Sequence, residues 1–185
     1  MTDLIHLNGP PGIGKSTLAA RYVAEHHQVL DCDIDVLRTL IGGWSQDFGG
    51  AGLLIRPAAL AMIETYLAGG HDVVLPQMLL DPGQVRLFED AATRAGARFV
   101  ERFLMDDPEH VVGRFHRRGD GEEAHAWHTQ VRDIVTAQGG DETLLDCHHR
   151  LEALLDLRPH AVVIRTREGE VDEAYRGLVD SLTSD

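Results

Sequence analysis

At 185 residues, 43% hydrophobic and 25% charged, the chain is long enough for one compact α/β domain with a sizeable core and too short for a second full one. A formal net charge of −13 argues against a grip on long nucleic acid, whose affinity comes mostly from neutralised phosphates, and for a small substrate held in a local pocket. No apolar run approaches the roughly 20 residues of a membrane span and no basic-then-apolar leader opens the chain. Two cysteines, Cys32 and Cys147, suit a reducing cytoplasm rather than a disulfide framework.

Short apolar runs alternate with amphipathic stretches, the pattern of βαβ units. Leu4–Asn8 reads as the first strand and Lys15 to about His26 as a helix with Leu18, Ala19, Tyr22 and Val23 inward. Gln28–Cys32 is the second strand and Asp35–Ile41 a short helix. Residues 42–57, with Gly42-Gly43, Gly49-Gly50 and Gly52 around Trp44 and Phe48, have loop chemistry. Ala58–Ala68 is a helix stopped by Gly69-Gly70, and Asp72–Leu75 a buried third strand. Pro82–Ala95 is a helix and Arg98–Met105 the fourth strand. Asp107-Pro108 starts a helix that runs to about Arg118, where Gly119-Asp120-Gly121 breaks it. Glu123–Ala137 and Glu142–Leu155 follow as helices, then a last strand Ala161–Arg165 and a closing helix Val171–Leu182. The expected architecture is a single α/β domain over residues 1–185, of P-loop NTPase fold. It has a five-stranded parallel sheet, helices on both faces and a helical lid at about residues 114–137.

Gly9-Pro10-Pro11-Gly12-Ile13-Gly14-Lys15-Ser16-Thr17 matches the phosphate-binding loop pattern without a gap, between a predicted strand and a predicted helix. Glycines let backbone N–H groups turn toward phosphate oxygens, and the helix N-terminus adds about half a positive charge. Lys15 reaches the β- and γ-phosphates, Ser16 is a Mg²⁺ ligand, and Thr17 is placed to assist at the α-phosphate. ATP and Mg²⁺ are therefore the expected cofactors.

The second strand ends in Asp31-Cys32-Asp33-Ile34-Asp35-Val36-Leu37-Arg38. Acids at alternate positions are costly unless a cation or hydroxyl sits among them. This strand end faces the γ-phosphate in parallel α/β sheets. Asp35 is read as the base and anchor of the substrate hydroxyl, Asp33 as the metal-shell acid that also borders the substrate, and Arg38, one turn on, as a substrate contact. The competing reading is helix capping by Asp33 or Asp35, with Arg38 a surface charge. Cys32, between two acids, should have a raised thiol pKa.

The cradle, the strand-end D-x-x-R and a downstream arginine segment together resemble the AAA_33/zeta-toxin-like group of small P-loop kinases and the kinase domain of phage-type polynucleotide 5′-kinases. The likeness spans Leu4 to about Gly119 and, weakly, the last strand and helix. The resemblance implies a general base at Asp35, a substrate contact at Arg38, ATP and Mg²⁺ on Lys15 and Ser16, and a lid arginine at Arg118 that touches nucleotide phosphates. One departure stands out. Many relatives end the third strand with Asp, and here it reads Val73-Val74-Leu75-Pro76-Gln77. Gln77 is then either a strand-end amide or a contact to a neutral substrate, with Asp81 a late substitute for the missing acid.

Arg114-Phe115-His116-Arg117-Arg118 is the densest basic patch, and Arg114 and Arg118, four apart, share a helix face. They are read as lid arginines on the nucleotide, with residues 119–123 as the lid tip, against a plain cationic helix end. The segment after the last strand, Arg165–Gly169, falls where such folds hold adenine. His125, His128, His148 and His149 match no structural zinc spacing. The reading is transfer of the ATP γ-phosphate to a hydroxyl of a small molecule (a sugar, nucleoside or antibiotic-like compound), with Asp35, Lys15 and Arg118 carrying the catalysis. The alternatives are a polynucleotide 5′-hydroxyl kinase and a non-catalytic ATP-binding regulatory module.

Overall fold

The computed structural model describes residues 1–117 and 126–183. The described strands are β1 (Asp3–Asn8), β2 (Leu30–Asp31), β3 (Val73–Leu75), β4 (Arg98–Met105) and β5 (Val162–Arg165). They form one parallel sheet in the order β2-β3-β1-β4-β5, with Leu4 opposite Val73 and Phe99, and Arg102 opposite Val162. The helices are α1 (Lys15–Glu25), α2 (Ile34–Arg38), α3 (Phe48–Ala68), α4 (Pro82–Arg94), α5 (Pro108–Arg117), α6 (Ala126–Ala137), α7 (Asp141–Asp156) and α8 (Val171–Thr183).

The two-residue period of the strands divides the core. Leu4, Val73, Leu75, Phe103 and Met105 face α3, α4 and α7, where Ile63, Leu67, Phe88 and Leu151 pack against them. Ile5, Leu7, Val74, Leu104 and Ile164 face the other way, onto Leu18 and Ala19 of α1 and Tyr175 and Leu178 of α8. A sheet buried on both faces favours apolar side chains at most positions; β3 is wholly apolar, while β1 and β4 also bury His6, Asn8, Glu101 and Arg102. A third, smaller cluster of Phe115, Val135 and Leu144 joins α5 to α6 and α7.

One predicted loop is largely helix. The glycines of residues 42–57 read as irregular chain, yet α3 begins at Phe48 and carries Pro57 within it. Two of these glycines answer to close approach rather than to turning. A Cβ on Gly50 would meet the Asp47 carboxylate at 2.1 Å, and one on Gly52 would meet Arg38 Nη2 at 2.9 Å. Asp47 caps the helix by accepting from Gly50 N at 2.8 Å. The same misreading hid an apolar stretch: at 21 residues, α3 is long and apolar enough, by length and composition, to cross a bilayer. Its two charges reach α4, Arg56 Nη1 donating to Gln84 Oε1 at 2.7 Å and Glu64 accepting from Arg94 Nη2 at 2.8 Å.

Candidate active site

Three strand ends converge at one edge of the sheet. β1 runs into the glycine loop, β2 into Asp33 and α2, and β3 into Pro76-Gln77. Gly9 and Gly12 have φ of +148° and +82°, where glycine alone is unstrained. Neither has room for a side chain: a Cβ on Gly9 would lie 2.5 Å from the Leu104 carbonyl oxygen, and one on Gly12 would lie 3.2 Å from Phe115 Cα. Asn8 braces the loop. Its Oδ1 accepts from Gly9 N and Leu79 N at 2.9 and 3.0 Å, and its Nδ2 donates to the Leu79 carbonyl at 2.9 Å. A polar strand end beside the loop was visible in the sequence, but its partner lies 71 residues away.

Within the loop, Lys15 Nζ donates to the carbonyls of Gly9 and Pro10 at 2.8 and 2.9 Å. Ser16 Oγ donates to Asp33 Oδ2 at 2.8 Å. The other Asp33 oxygen caps α2, accepting from Asp35 N at 2.9 Å and Val36 N at 3.4 Å. Capping therefore takes one oxygen of the carboxylate and leaves the other on Ser16, so the two roles posed as rivals by the sequence do not exclude each other. A hydroxyl and a buried carboxylate side by side at the head of α1, a helix that Gly14 starts without a capping side chain, fit a hard divalent cation between protein and phosphate.

Asp35 and Arg38 lie one turn apart on α2, Arg38 Nη2 to Asp35 Oδ1 at 3.1 Å. Arg38 is not a surface charge. It is 7% exposed, its guanidinium lies 3.7 Å from the centre of the Phe48 ring, and Gly52 leaves the space it fills. Burial pulls its pKa down, Asp35 opposing. Its Nε has no hydrogen-bond partner. Phe48 thus supports Arg38, while Trp44 does not line the cavity.

Gln77 is 7% exposed and its Oε1 has no hydrogen-bond partner. Its carbonyl is fixed from below by His6 Nε2, which donates to it at 2.9 Å from the middle of β1. His6 Nδ1 in turn lies 3.7 Å from Glu101 Oε1, and Arg158 Nε donates to Glu101 Oε2 at 2.5 Å. Asp31, given no role above, is paired with Val74 and also borders the site. Its Oδ1 has no partner, and burial first, then the nearby Asp33, pushes its pKa up to about 6. Burial, with Asp31 and Asp33 adjacent, pushes the Cys32 thiol up to about 12.

These groups border one open cavity of about 1270 Å³ that takes in Lys15 and Ser16 at one end and Asp31, Asp35, Arg38 and Gln77 at the other. Another part of its lining comes from α6, within the segment expected as lid, through Val131 and Ile134, and from Leu144 of α7. A smaller hollow of about 150 Å³ lies behind the loop, bordered by Gly12, Thr17, Arg114, Thr166 and Arg167. This is the side assigned to adenine. Arg114 is the post between the two. Its Nη2 donates to the Ile13 carbonyl at 2.9 Å, and its Nη1 to Thr166 Oγ1 at 3.2 Å and Asp106 Oδ2 at 3.3 Å. Arg117, one residue short of the other arginine expected on the lid, pairs with Glu168. Arg118 and the predicted lid tip lie outside the described residues.

A phosphate loop after β1, in a parallel sheet of this order, is the P-loop NTPase fold. The family model AAA_33, an AAA domain, matches residues 4–138. The chain belongs to the AAA_33 family. The match runs past Gly119, so it takes in α6 and strands β1 to β4, but not β5. A search of curated protein sequences finds no match. Among solved structures, the AAA_33 chain is similar to a tunicamycin resistance protein from Deinococcus radiodurans. The TM-score is 0.63 at 16% identity, over 98% of this chain and 96% of that one. It is also similar to a gluconokinase from Sinorhizobium meliloti, with a TM-score of 0.60 at 19% identity, over 98% of this chain and 94% of that one. Both likenesses concern the fold.

Proposed function

We propose that the protein is an ATP-dependent phosphotransferase that moves the γ-phosphoryl group to a hydroxyl of a small molecule. The observation that carries this is the shared cavity: Asp35 borders the same space as Lys15 and Ser16. Lys15 Nζ, held here by the Gly9 and Pro10 carbonyls, is the cation that would exchange them for phosphate oxygens. Family membership and the kinase among the structural relatives support the same reading.

Asp35 accepts the proton of the acceptor hydroxyl as that oxygen bonds to the γ-phosphorus. The bond from phosphorus to the β–γ bridging oxygen breaks, and ADP leaves with the electron pair. Arg38 holds Asp35 in place through its ion pair. Ser16 and Asp33 are the residues that would hold Mg²⁺, which supplies charge neutralisation to the phosphate oxygens when bound. Val131, Ile134 and Leu144 line the cavity with apolar surface. A polynucleotide acceptor is disfavoured, because the acceptor end is bordered by Asp31, Asp33, Asp35 and Asp47 rather than by a basic groove.

The test is ADP release from purified protein, MgATP and a panel of sugars, nucleosides, hydroxylated antibiotics and 5′-hydroxyl oligonucleotides. Acceptor-dependent release, lost in Asp35→Asn, is the expected result. Slow release indifferent to every acceptor and to Asp35→Asn would leave only a nucleotide-binding module.

A further inference from the structure

We infer that the acceptor is an amino alcohol, a hydroxylated molecule carrying a protonated amine, and that Asp31 and Gln77 receive the amine. The inference rests on the phosphotransfer reading and specifies its substrate.

Two features of the cavity, of different kinds, lead there. The first is charge. Among the described residues that border it, the charged groups are Lys15 and Arg38 against Asp31, Asp33, Asp35 and Asp47. Lys15 serves the phosphate end. Arg38 is held by Asp35 and stacked on Phe48, so its charge is already answered. Ser16 engages Asp33, and Asp47 caps α3. Among the described residues that border the cavity, no cation is assigned to the Asp31 carboxylate, and any Mg²⁺ on Ser16 and Asp33 is offset by the triphosphate it accompanies. An anionic acceptor would meet repulsion from these acids.

The second is hydrogen bonding. Gln77 is more than nine-tenths buried and borders the cavity, yet its Oε1 has no partner. Asp31 Oδ1 is equally unanswered. A buried acceptor without a donor is costly, and two on adjacent strand ends constitute a request for donors. A single hydroxyl brings one donor, whereas an ammonium brings three and the charge that Asp31 lacks. His6 fixes the Gln77 peptide from beneath, so this part of the floor is preset rather than adaptable. Met78, Val131 and Ile134 then offer apolar surface to the carbon skeleton joining amine and hydroxyl.

The experiment compares glucosamine, glucose and gluconate, and separately the aminoglycoside kanamycin and the uncharged trisaccharide maltotriose, by ADP release and by calorimetric binding to the Mg²⁺–ADP-loaded protein. The amine-bearing member of each set should bind at least about tenfold more tightly than its uncharged counterpart, with gluconate weakest. In Asp31→Asn/Gln77→Leu that preference should shrink to within about threefold, with ADP binding retained. Tighter binding or faster turnover of gluconate or the neutral sugars would overturn the inference while leaving phosphotransfer standing. So would a preference undiminished in the double variant. No acceptor-dependent ADP release from any compound, with ADP still bound, would overturn both.

Discussion

Ser16 Oγ donates to Asp33 Oδ2 at 2.8 Å, while Asp33 Oδ1 caps α2 two residues before Asp35. One carboxylate therefore couples the presumptive metal position to the helix that presents the base. Asp33→Asn separates the two duties, since asparagine caps a helix about as well as aspartate but is a poor partner for Mg²⁺. Calorimetry should show ADP binding that no longer strengthens with added Mg²⁺, and a melting temperature within about 3 °C of the parent. Magnesium dependence equal to the parent's would remove Asp33 from the metal shell.

Asp35→Asn should lower kcat by about a hundredfold or more with little change in ATP affinity, because proton acceptance is lost and the cradle is untouched. Arg38 then keeps its place on Phe48 but loses its counter-charge. A modest fall in melting temperature is expected alongside and is read independently by scanning calorimetry. An unchanged kcat with a raised acceptor KM would mark Asp35 as a binding group only.

Much of this was written in the chain, and what was not is instructive. The cradle and the D-x-x-R turn depend on neighbours in sequence, so their residue types disclose them. The 21-residue α3 was half hidden because Gly50 and Gly52 were read for flexibility, whereas contact with Asp47 and Arg38 requires them. Asp31, Asn8 and His6 acquire meaning only from distant parts of the chain, such as the segment after β3, which supplies Leu79 for Asn8 and Gln77 for His6. Sheet order joins those residues, and a linear pattern does not encode it.

Arg114 bonds at once to the Ile13 carbonyl, Thr166 and Asp106. Arg114→Met keeps the length of the side chain and removes every donor. Charged hydrogen bonds of this kind are worth about 1.5–3 kcal/mol each before compensation. ADP affinity should fall by at least about tenfold, as read by fluorescent-nucleotide displacement. Affinity equal to the parent's would make Arg114 a purely structural strut of α5.

Asp31 gives a pH signature. Its folded pKa of about 6 lies above the ordinary 3.8, so the folded state holds the proton more tightly than the unfolded chain. The stabilisation is complete below about pH 4 and is lost as pH rises toward 6. Asp31→Asn removes that loss. In metal-free buffer the variant should gain on the parent between pH 4 and 6 and stay ahead above it, by up to about 2 kcal/mol after allowance for partial exposure. Urea unfolding at a series of pH values measures the difference. A gap that stays constant across that window would show that Asp31 titrates as it does in the unfolded chain.

Gly12 meets the backbone of Phe115 so closely that a methyl group would touch its Cα at 3.2 Å. The last turn of α5 therefore rests directly on the phosphate loop at this point. A methyl group at position 12 would push the two apart by a few tenths of an ångström, so the absence of one side chain in the loop sets how closely α5 can sit on it.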